Sequence, residues 1–126
     1  GTMAKILGAD DEEDVGVLIS ERLQSEGHDV EWVSDGNMAI ARLEAEQFDL
    51  AILDIRMGGC GGYGVCSVAK NSPKCRHIPV ILMSAIEKDS LDWKRVKADA
   101  FMLKPFETER LVGLVRECLR KGQTGG

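Results

Sequence analysis

Residues 49–57 read DLAILDIRM, and the short apolar run at 50–53 within this stretch ends abruptly at Asp54. The four consecutive apolar residues before Asp54 predict a strand that is buried on both faces, which is typical of a parallel sheet. Comparable apolar runs occur at 4–9 and 80–83. The sequence therefore predicts several buried parallel strands, each followed directly by a polar residue.

Amphipathic helices are predicted between the strands. In the first of them, Val15, Leu18, Ile19 and Leu23 fall on one helical face, and Gly27 is a typical stop signal. The other predicted helices cover 38–46, 63–70, 91–96 and 107–120, and the other strands cover 29–33 and 100–103. Five strands that alternate with five helices require a parallel sheet with right-handed crossovers and helices on both faces. The predicted fold class is therefore α/β, with a doubly wound sheet.

Length and charge narrow the possible functions. The chain of 126 residues suits one domain, and hydrophobic residues make up 44% of it, which is enough for a globular core. We assign the domain to 4–121, and we interpret 1–3 as a cloning remnant and 122–126 as a flexible tail. The net charge of −5 disfavours direct binding to nucleic acid or to an anionic membrane. No apolar run approaches the ~20 residues that span a bilayer and no signal peptide is recognisable, so we expect a cytoplasmic protein.

Two further patterns have little weight. Cys60, Cys66 and Cys75 could form a zinc site with His77, but their spacing matches no familiar zinc motif, and we expect these thiols and that of Cys118 to be free. Residues 59–64 match the dinucleotide pattern G-x-G-x-x-G literally. That pattern belongs directly after the first strand of such a sheet, and here it follows a later one.

Polar side chains follow four of the predicted strands. Asp10 and Asp11 come after the first strand, Asp54 after the third, Ser84 after the fourth and Lys104 after the fifth. The carboxyl ends of parallel strands meet at one edge of the sheet, so these residues should converge. Three clustered carboxylates repel one another unless a cation lies among them, and Mg²⁺ prefers oxygen ligands. A lysine and a hydroxyl opposite that ion could hold phosphate oxygens, although an acidic residue at a strand end also often caps the next helix.

Four motifs, in this order, resemble the receiver domain of two-component response regulators. They are ILGADDEED at 6–14, DLAILDIRM at 49–57, IPVILMSA at 78–85 and FMLKPF at 101–106. The resemblance covers 4–121, and the motifs are highly specific in combination. It implies a flavodoxin-like fold, with a five-stranded parallel sheet in strand order 2-1-3-4-5 and five helices.

The resemblance also implies roles for particular residues of the first three motifs. Asp54 would be the phosphoacceptor. Asp10 and Asp11 would bind Mg²⁺ together with Asp54 and the backbone carbonyl of Arg56. Ser84 would hold a phosphoryl oxygen and would move toward it on activation.

The last motif implies the remaining parts of the site and its partners. Lys104 would pair with the phosphoryl group, and the Lys104–Pro105 bond that follows it would be cis. Phe101 would act with Ser84 as a switch. The domain would receive its phosphoryl group from a sensor histidine kinase or a phosphotransfer protein. It would contact a downstream effector or a second receiver through the face formed by the fourth helix, fifth strand and fifth helix. Such a domain is a signalling phosphoacceptor that assists its own phosphorylation and dephosphorylation, so we do not expect an enzyme.

Some positions depart from the family pattern. Gly58 stands where the family usually has proline, and Gly61-Gly62 stand where it usually has Asp-Gly. The segment from Ser84 to Lys104 is also about two residues shorter than usual, which predicts a fourth helix that is short, shifted or partly unwound. A pseudo-receiver that works without phosphorylation is therefore an alternative. A Mg²⁺-dependent phosphohydrolase would need an acid two residues after Asp54, where this chain has Arg56.

Overall fold

The computed structural model describes residues 3–124 and contains one five-stranded parallel sheet. The strand order is β2-β1-β3-β4-β5, with every neighbouring pair parallel, which confirms the predicted topology. The strands are β1 (Lys5–Ala9), β2 (Asp29–Val33), β3 (Leu50–Asp54), β4 (Val80–Ser84) and β5 (Ala100–Leu103). β3 and β4 are buried at every position, as their unbroken apolar sequences predict.

Helices cover both faces of the sheet. They are α1 (Glu13–Ser25), α2 (Gly36–Ala45), α3 (Gly61–Lys70), α4 (Asp89–Asp92) and α5 (Thr108–Thr124), and a 3₁₀ helix (Trp93–Val96) follows α4. α2 and α3 share one apolar core with residues such as Leu53, and α1 and α5 share the other with residues such as Ile52. Successive residues of β3 thus serve opposite cores. No helix among residues 3–124 is both long and apolar enough to cross a membrane.

Several element bounds differ from the predicted ones. α3 begins at Gly61 rather than at 63, because glycine permits a close approach of the helix to β3. α5 continues to Thr124, beyond the predicted helix end at 120, since a single glycine at 122 weakens a helix without ending it. Residues 125 and 126 of the predicted tail, and residues 1 and 2 of the predicted remnant, lie outside the described residues. Leu18 was predicted to face the core with Ile19, but 52% of it is exposed, because the buried stripe of α1 is formed by Gly16, Ile19 and Leu23.

A tryptophan on the edge strand β2 fills a space left by two glycines. A Cβ atom on Gly8 of β1 would lie 2.1 Å from the Trp32 ring, and one on Gly16 of α1 would lie 2.5 Å from its Nε1 atom. The indole ring is therefore packed between strand β1 and helix α1, over positions that have no side chain. This packing fixes α1, and with it the loop after β1 that carries Asp10 and Asp11.

We predict that Gly8→Ala lowers the free energy of unfolding by about 1–3 kcal/mol, because the added methyl group overlaps the Trp32 ring. The cost should shrink markedly in a Trp32→Leu background. Gly113→Ala is the matched control, since nothing lies within 4 Å of its Cβ position, and it should raise stability by about 0.5–1 kcal/mol. Chemical denaturation of the wild type, the three single variants and the double variant measures these values. Equal costs of Gly8→Ala in both backgrounds would contradict this account.

Candidate functional site

The carboxyl edge of the sheet brings three predicted residues into contact. Asp54 ends β3, Asp10 follows β1 and Lys104 follows β5. The Lys104 Nζ atom lies 2.7 Å from Asp10 Oδ2 and 3.5 Å from Asp54 Oδ2. Both carboxylates are almost fully buried, with 2% of Asp10 and 3% of Asp54 exposed. Three of the five residues that were expected to converge are therefore in contact.

Backbone groups of the loops orient these side chains. The Arg56 N–H donates to Asp54 Oδ1 at 3.3 Å, and the Glu12 N–H donates to Asp10 Oδ1 at 2.9 Å. The Lys104 N–H donates to the Ser84 carbonyl oxygen at 2.8 Å, which ties β5 to the end of β4. Asp10 thus binds the chain just before α1 and pairs with Lys104 at the same time, so the helix-entry role and the charge-pairing role are compatible.

Negative charge exceeds positive charge at this site. Asp10, Glu12 and Asp54 each offer one carboxylate oxygen, and these three atoms lie within 4.8 Å of one another. We call these three residues the carboxylate cluster. Lys104 is the cation that contacts it, and its Nζ atom also lies 3.4 Å from Glu12 Oε1. Carboxylate oxygens at this spacing are the ligands that Mg²⁺ prefers, so the residues present fit such an ion.

The imbalance perturbs the two central groups. Burial, reinforced by the nearby charge of Asp10 and opposed by Lys104, raises the pKa of Asp54 to about 6. Burial lowers the pKa of Lys104, but its hydrogen bond to Asp10 and the charges of Asp54 and Asp10 outweigh that effect and leave the pKa raised. Lysine therefore stays charged, whereas Asp54 holds its negative charge at a cost that an added cation would relieve.

Of the predicted metal ligands, Asp11 is placed differently. Asp11 is exposed, and the carboxylate cluster contains Glu12 where the family pattern implies Asp11. Sequence reasoning did not single out Glu12, although it belongs to the acidic run at 10–14. Arg56 brings its backbone beside Asp54, while its guanidinium turns away to Asp89.

The Ser84 hydroxyl is directed away from Asp54. It is fully buried, donates to Asp89 Oδ2 at 2.6 Å and accepts a hydrogen bond from the Ile86 N–H at 2.9 Å. Arg56 forms two further bonds to Asp89, from Nε to Oδ2 at 3.0 Å and from Nη2 to Oδ1 at 2.8 Å. Sequence reasoning missed Asp89, because an aspartate in the polar run around it carries no pattern that marks it as buried.

The remaining predicted switch residue lies on β5. Phe101 is half-buried, and its ring stacks on Trp93 with centroids 6.3 Å apart and planes at 15°. The Lys104–Pro105 peptide bond is cis, as predicted. The fourth helical segment is confirmed as short and partly unwound, since four α-helical residues continue as a 3₁₀ helix that ends at Lys97 with φ of 63°.

The glycine-rich loop serves the packing of α3. Gly59 and Gly61 have φ values of 73° and 69°, which favour glycine. A Cβ atom on Gly62 would lie 2.6 Å from the Asp54 carbonyl oxygen, so glycine allows α3 to begin against the end of β3. These requirements explain the literal G-x-G-x-x-G match without a nucleotide. The thiols of the proposed zinc alternative are also dispersed, with Cys66 donating to the Val96 carbonyl and Cys75 to the Leu43 carbonyl.

Comparison with known proteins agrees with this geometry. The family described as the response regulator receiver domain matches residues 6–116. The phosphate regulon transcriptional regulatory protein PhoB of Rhizobium meliloti is 32% identical, over 96% of this chain and 54% of that protein. The response regulator PleD of Caulobacter vibrioides is 34% identical, over 93% of this chain and 26% of that protein. The chemotaxis response regulator CheY4 of Vibrio cholerae superposes with a TM-score of 0.86 at 27% identity, over 93% of this chain and 99% of that one.

The chain belongs to the response regulator receiver domain family of two-component signalling. It spans about half the length of the first curated relatives that it matches.

We predict that Asp54→Asn raises the free energy of unfolding by about 2 kcal/mol at pH 7 in metal-free buffer. The pKa of Asp54 is raised from 3.8 to about 6 in the folded protein, so folding takes up a proton between these values and stability falls as pH rises through that window. The asparagine variant lacks this loss.

Urea denaturation at pH 3.5 and pH 7 measures this effect, and the advantage of the variant should disappear at the lower pH. Asp29→Asn, an exposed substitution at the start of β2 at the opposite edge, should change stability by less than about 0.5 kcal/mol. An Asp54→Asn variant that is less stable than the wild type at pH 7 would show that Asp54 carries no buried-charge penalty.

Proposed function

We propose that Asp54 accepts a phosphoryl group from the phosphohistidine of a sensor histidine kinase or phosphotransfer protein. The observation that carries this proposal is the geometry of the edge: a buried carboxylate at the end of β3, an ammonium group 3.5 Å from it, and a second buried carboxylate on the same ammonium. A simple structural ion pair would need one carboxylate per lysine. Here the surplus carboxylate oxygens suit a cation, and that cation together with Lys104 would bind the oxygens of a phosphoryl group.

The proposed reaction is a transfer between two nucleophiles. An Asp54 oxygen attacks phosphorus, an O–P bond forms, the N–P bond of the donor breaks, and the donor imidazole leaves with its electron pair and takes up a proton. Lys104 stabilises the negative charge of the phosphoryl oxygens, and the Ser84 hydroxyl would bind one of them after turning from its present partner. The domain supplies the nucleophile and the charged surroundings, so it acts as a phosphoacceptor that assists its own phosphorylation and dephosphorylation.

Mg²⁺ is the cofactor that we propose for this reaction. Asp10, Asp11, Asp54 and the backbone carbonyl of Arg56 would hold it, and Glu12 lies close enough to contribute. When bound, the ion neutralises negative charge on the carboxylates and on the transferred group. The raised pKa of Asp54 supports this assignment, because a cation would favour its charged form.

The proposed output runs through the face formed by α4, β5 and α5. Ser84 lies at the end of β4 beside this face and Phe101 lies within it on β5, so a change at either would alter the surface. We infer that a downstream effector or a second receiver binds there, in the cytoplasm. The relatives described as transcriptional regulators are about twice as long as the matched region, and this receiver would accordingly act on DNA only through another domain.

We predict that Asp54→Asn abolishes labelling by phosphoramidate, whose P–N bond resembles that of phosphohistidine. An amide cannot form the acyl phosphate, which is recognised by its loss in hydroxylamine. Intact-protein mass spectrometry after incubation with Mg²⁺ measures the added phosphoryl group.

Asp29→Asn is the matched control for this experiment, and it should be labelled as fully as the wild type. Full labelling of the Asp54→Asn variant would assign the acceptor to another residue. Absence of labelling in both the wild type and the control would favour a pseudo-receiver.

We predict that millimolar Mg²⁺ raises the melting temperature of the wild type by several degrees, because the ion, held by Asp11 as well, relieves the repulsion between the buried carboxylates of Asp10 and Asp54. Asp11→Asn should reduce this rise, and Glu12→Gln should retain most of it. Differential scanning fluorimetry with and without Mg²⁺ measures both. The reverse result would make Glu12, rather than Asp11, the ligand, and a wild type that melts at the same temperature with and without Mg²⁺ would argue against a metal site.

A further inference from the structure

Helix α4 is attached to the domain by a charged residue. In the segment 85–99 between β4 and β5, Asp89 of α4 is the one buried residue, whereas Trp93, Val96 and Ala98, which follow α4, are partly buried against the core. Leu91, the apolar residue of α4, is 85% exposed. A surface helix is normally held by an apolar stripe, whereas α4 is held by a carboxylate. The position of α4 therefore depends on the partners of Asp89.

Both partners of Asp89 belong to the surroundings of Asp54. One is the hydroxyl of Ser84, the last residue of β4, the strand that pairs with β3. The other is the guanidinium of Arg56, whose own backbone N–H donates to Asp54. Asp89 thus accepts hydrogen bonds from Arg56, two residues after Asp54, and from Ser84, at the end of the strand that pairs with β3.

Ser84 and Arg56 can bind either Asp89 or a phosphoryl group better than they can bind both anions at once. A serine hydroxyl has a single proton and donates to one acceptor at a time. The Arg56 guanidinium forms a two-point contact with the Asp89 carboxylate, and the same fork geometry suits a phosphoryl group. Half of the Arg56 side chain is exposed, so it has room to turn, whereas the Asp89 side chain is almost fully buried.

We propose that Asp89 is a positioning residue that holds Ser84 and Arg56 in the unphosphorylated domain and competes for them with a phosphoryl group on Asp54. This inference rests on the proposed function of Asp54. When a phosphoryl oxygen accepts the hydrogen bond of the Ser84 hydroxyl, Asp89 loses a donor. A buried carboxylate that loses a donor is destabilised, and the other three residues of α4 are exposed, so α4 moves relative to the 3₁₀ helix, which packs on the core. The charge of Asp89 thereby couples the acceptor to the proposed output face.

Binding of beryllofluoride, a stable analogue of the phosphoryl group, measures this competition. In saturating Mg²⁺, Asp89→Asn should bind beryllofluoride about tenfold more tightly than the wild type, because a neutral amide competes less well than a carboxylate for the two donors. Asp92→Asn, which removes the same charge from an exposed position of the same helix, should bind it within about twofold of the wild type.

A serine-to-alanine background separates positioning from a general change in charge. In Ser84→Ala, which lacks the hydroxyl for which the two anions compete, Asp89→Asn should tighten beryllofluoride binding by a much smaller factor. A purely structural role of Asp89 predicts weaker binding in both backgrounds, together with a lower melting temperature. Equal tightening in both backgrounds would show that only long-range charge is involved.

A second variant tests the attachment of α4 without any ligand. Arg56→Gln changes an exposed side chain and should leave the fold intact, yet it removes two of the three hydrogen bonds to Asp89. Amide hydrogen exchange across 86–92 should become at least several-fold faster, whereas exchange in α1 should not change. Unchanged exchange across 86–92 would overturn the proposal that Asp89 holds α4.

Failure of the inference can be told apart from failure of the proposed function. If the wild type does not bind beryllofluoride, the role of Asp54 as acceptor fails and the competition fails with it. If the wild type binds it and Asp89→Asn binds equally or more weakly while still folded, Asp54 remains the acceptor and Asp89 has no positioning role.

Discussion

A single ammonium group shared between two buried carboxylates is the constraint on which the rest of this structure depends. Lys104 contacts Asp10 and Asp54, and these three residues come from the ends of three different strands. Burying them together requires the parallel sheet to bring its strand ends to one edge. The same shortage of positive charge supports the proposed binding of a further cation and, through it, of a phosphoryl group.

Close packing at glycine residues positions the helices on either side of this edge. Trp32 fills the space over Gly8 and Gly16 and thereby sets the start of α1 beside the acidic run. On the other side, Gly62 lets α3 approach the backbone of Asp54. Between them, Asp89 is the one buried residue of α4, and its side chain is bonded to Ser84 and Arg56, the two residues that flank the end of β3.

Much of the fold and of the site could be predicted from sequence, because unbroken apolar runs and strand-end residues are local signals. The strands at 29–33 and 100–103 have the predicted bounds, and Asp10, Asp54 and Lys104 converge as expected. Asp89 could not be found in this way, since its burial depends on partners 33 and 5 residues away. The burial of Gly16 in place of Leu18 likewise depends on the Trp32 ring, which comes from a different strand.

The most direct test of this account is a carbon-13 NMR titration of the Asp54 carboxyl group, assigned by comparison with Asp54→Asn. The account predicts a midpoint near 6 in metal-free buffer, since burial and Asp10 raise the pKa of Asp54. Saturating Mg²⁺ should move that midpoint clearly downward, because the ion favours the charged carboxylate. A midpoint near the ordinary aspartate value of about 4, unchanged by Mg²⁺, would contradict the claim that the negative charge of Asp54 is only partly neutralised and is stabilised by an added cation.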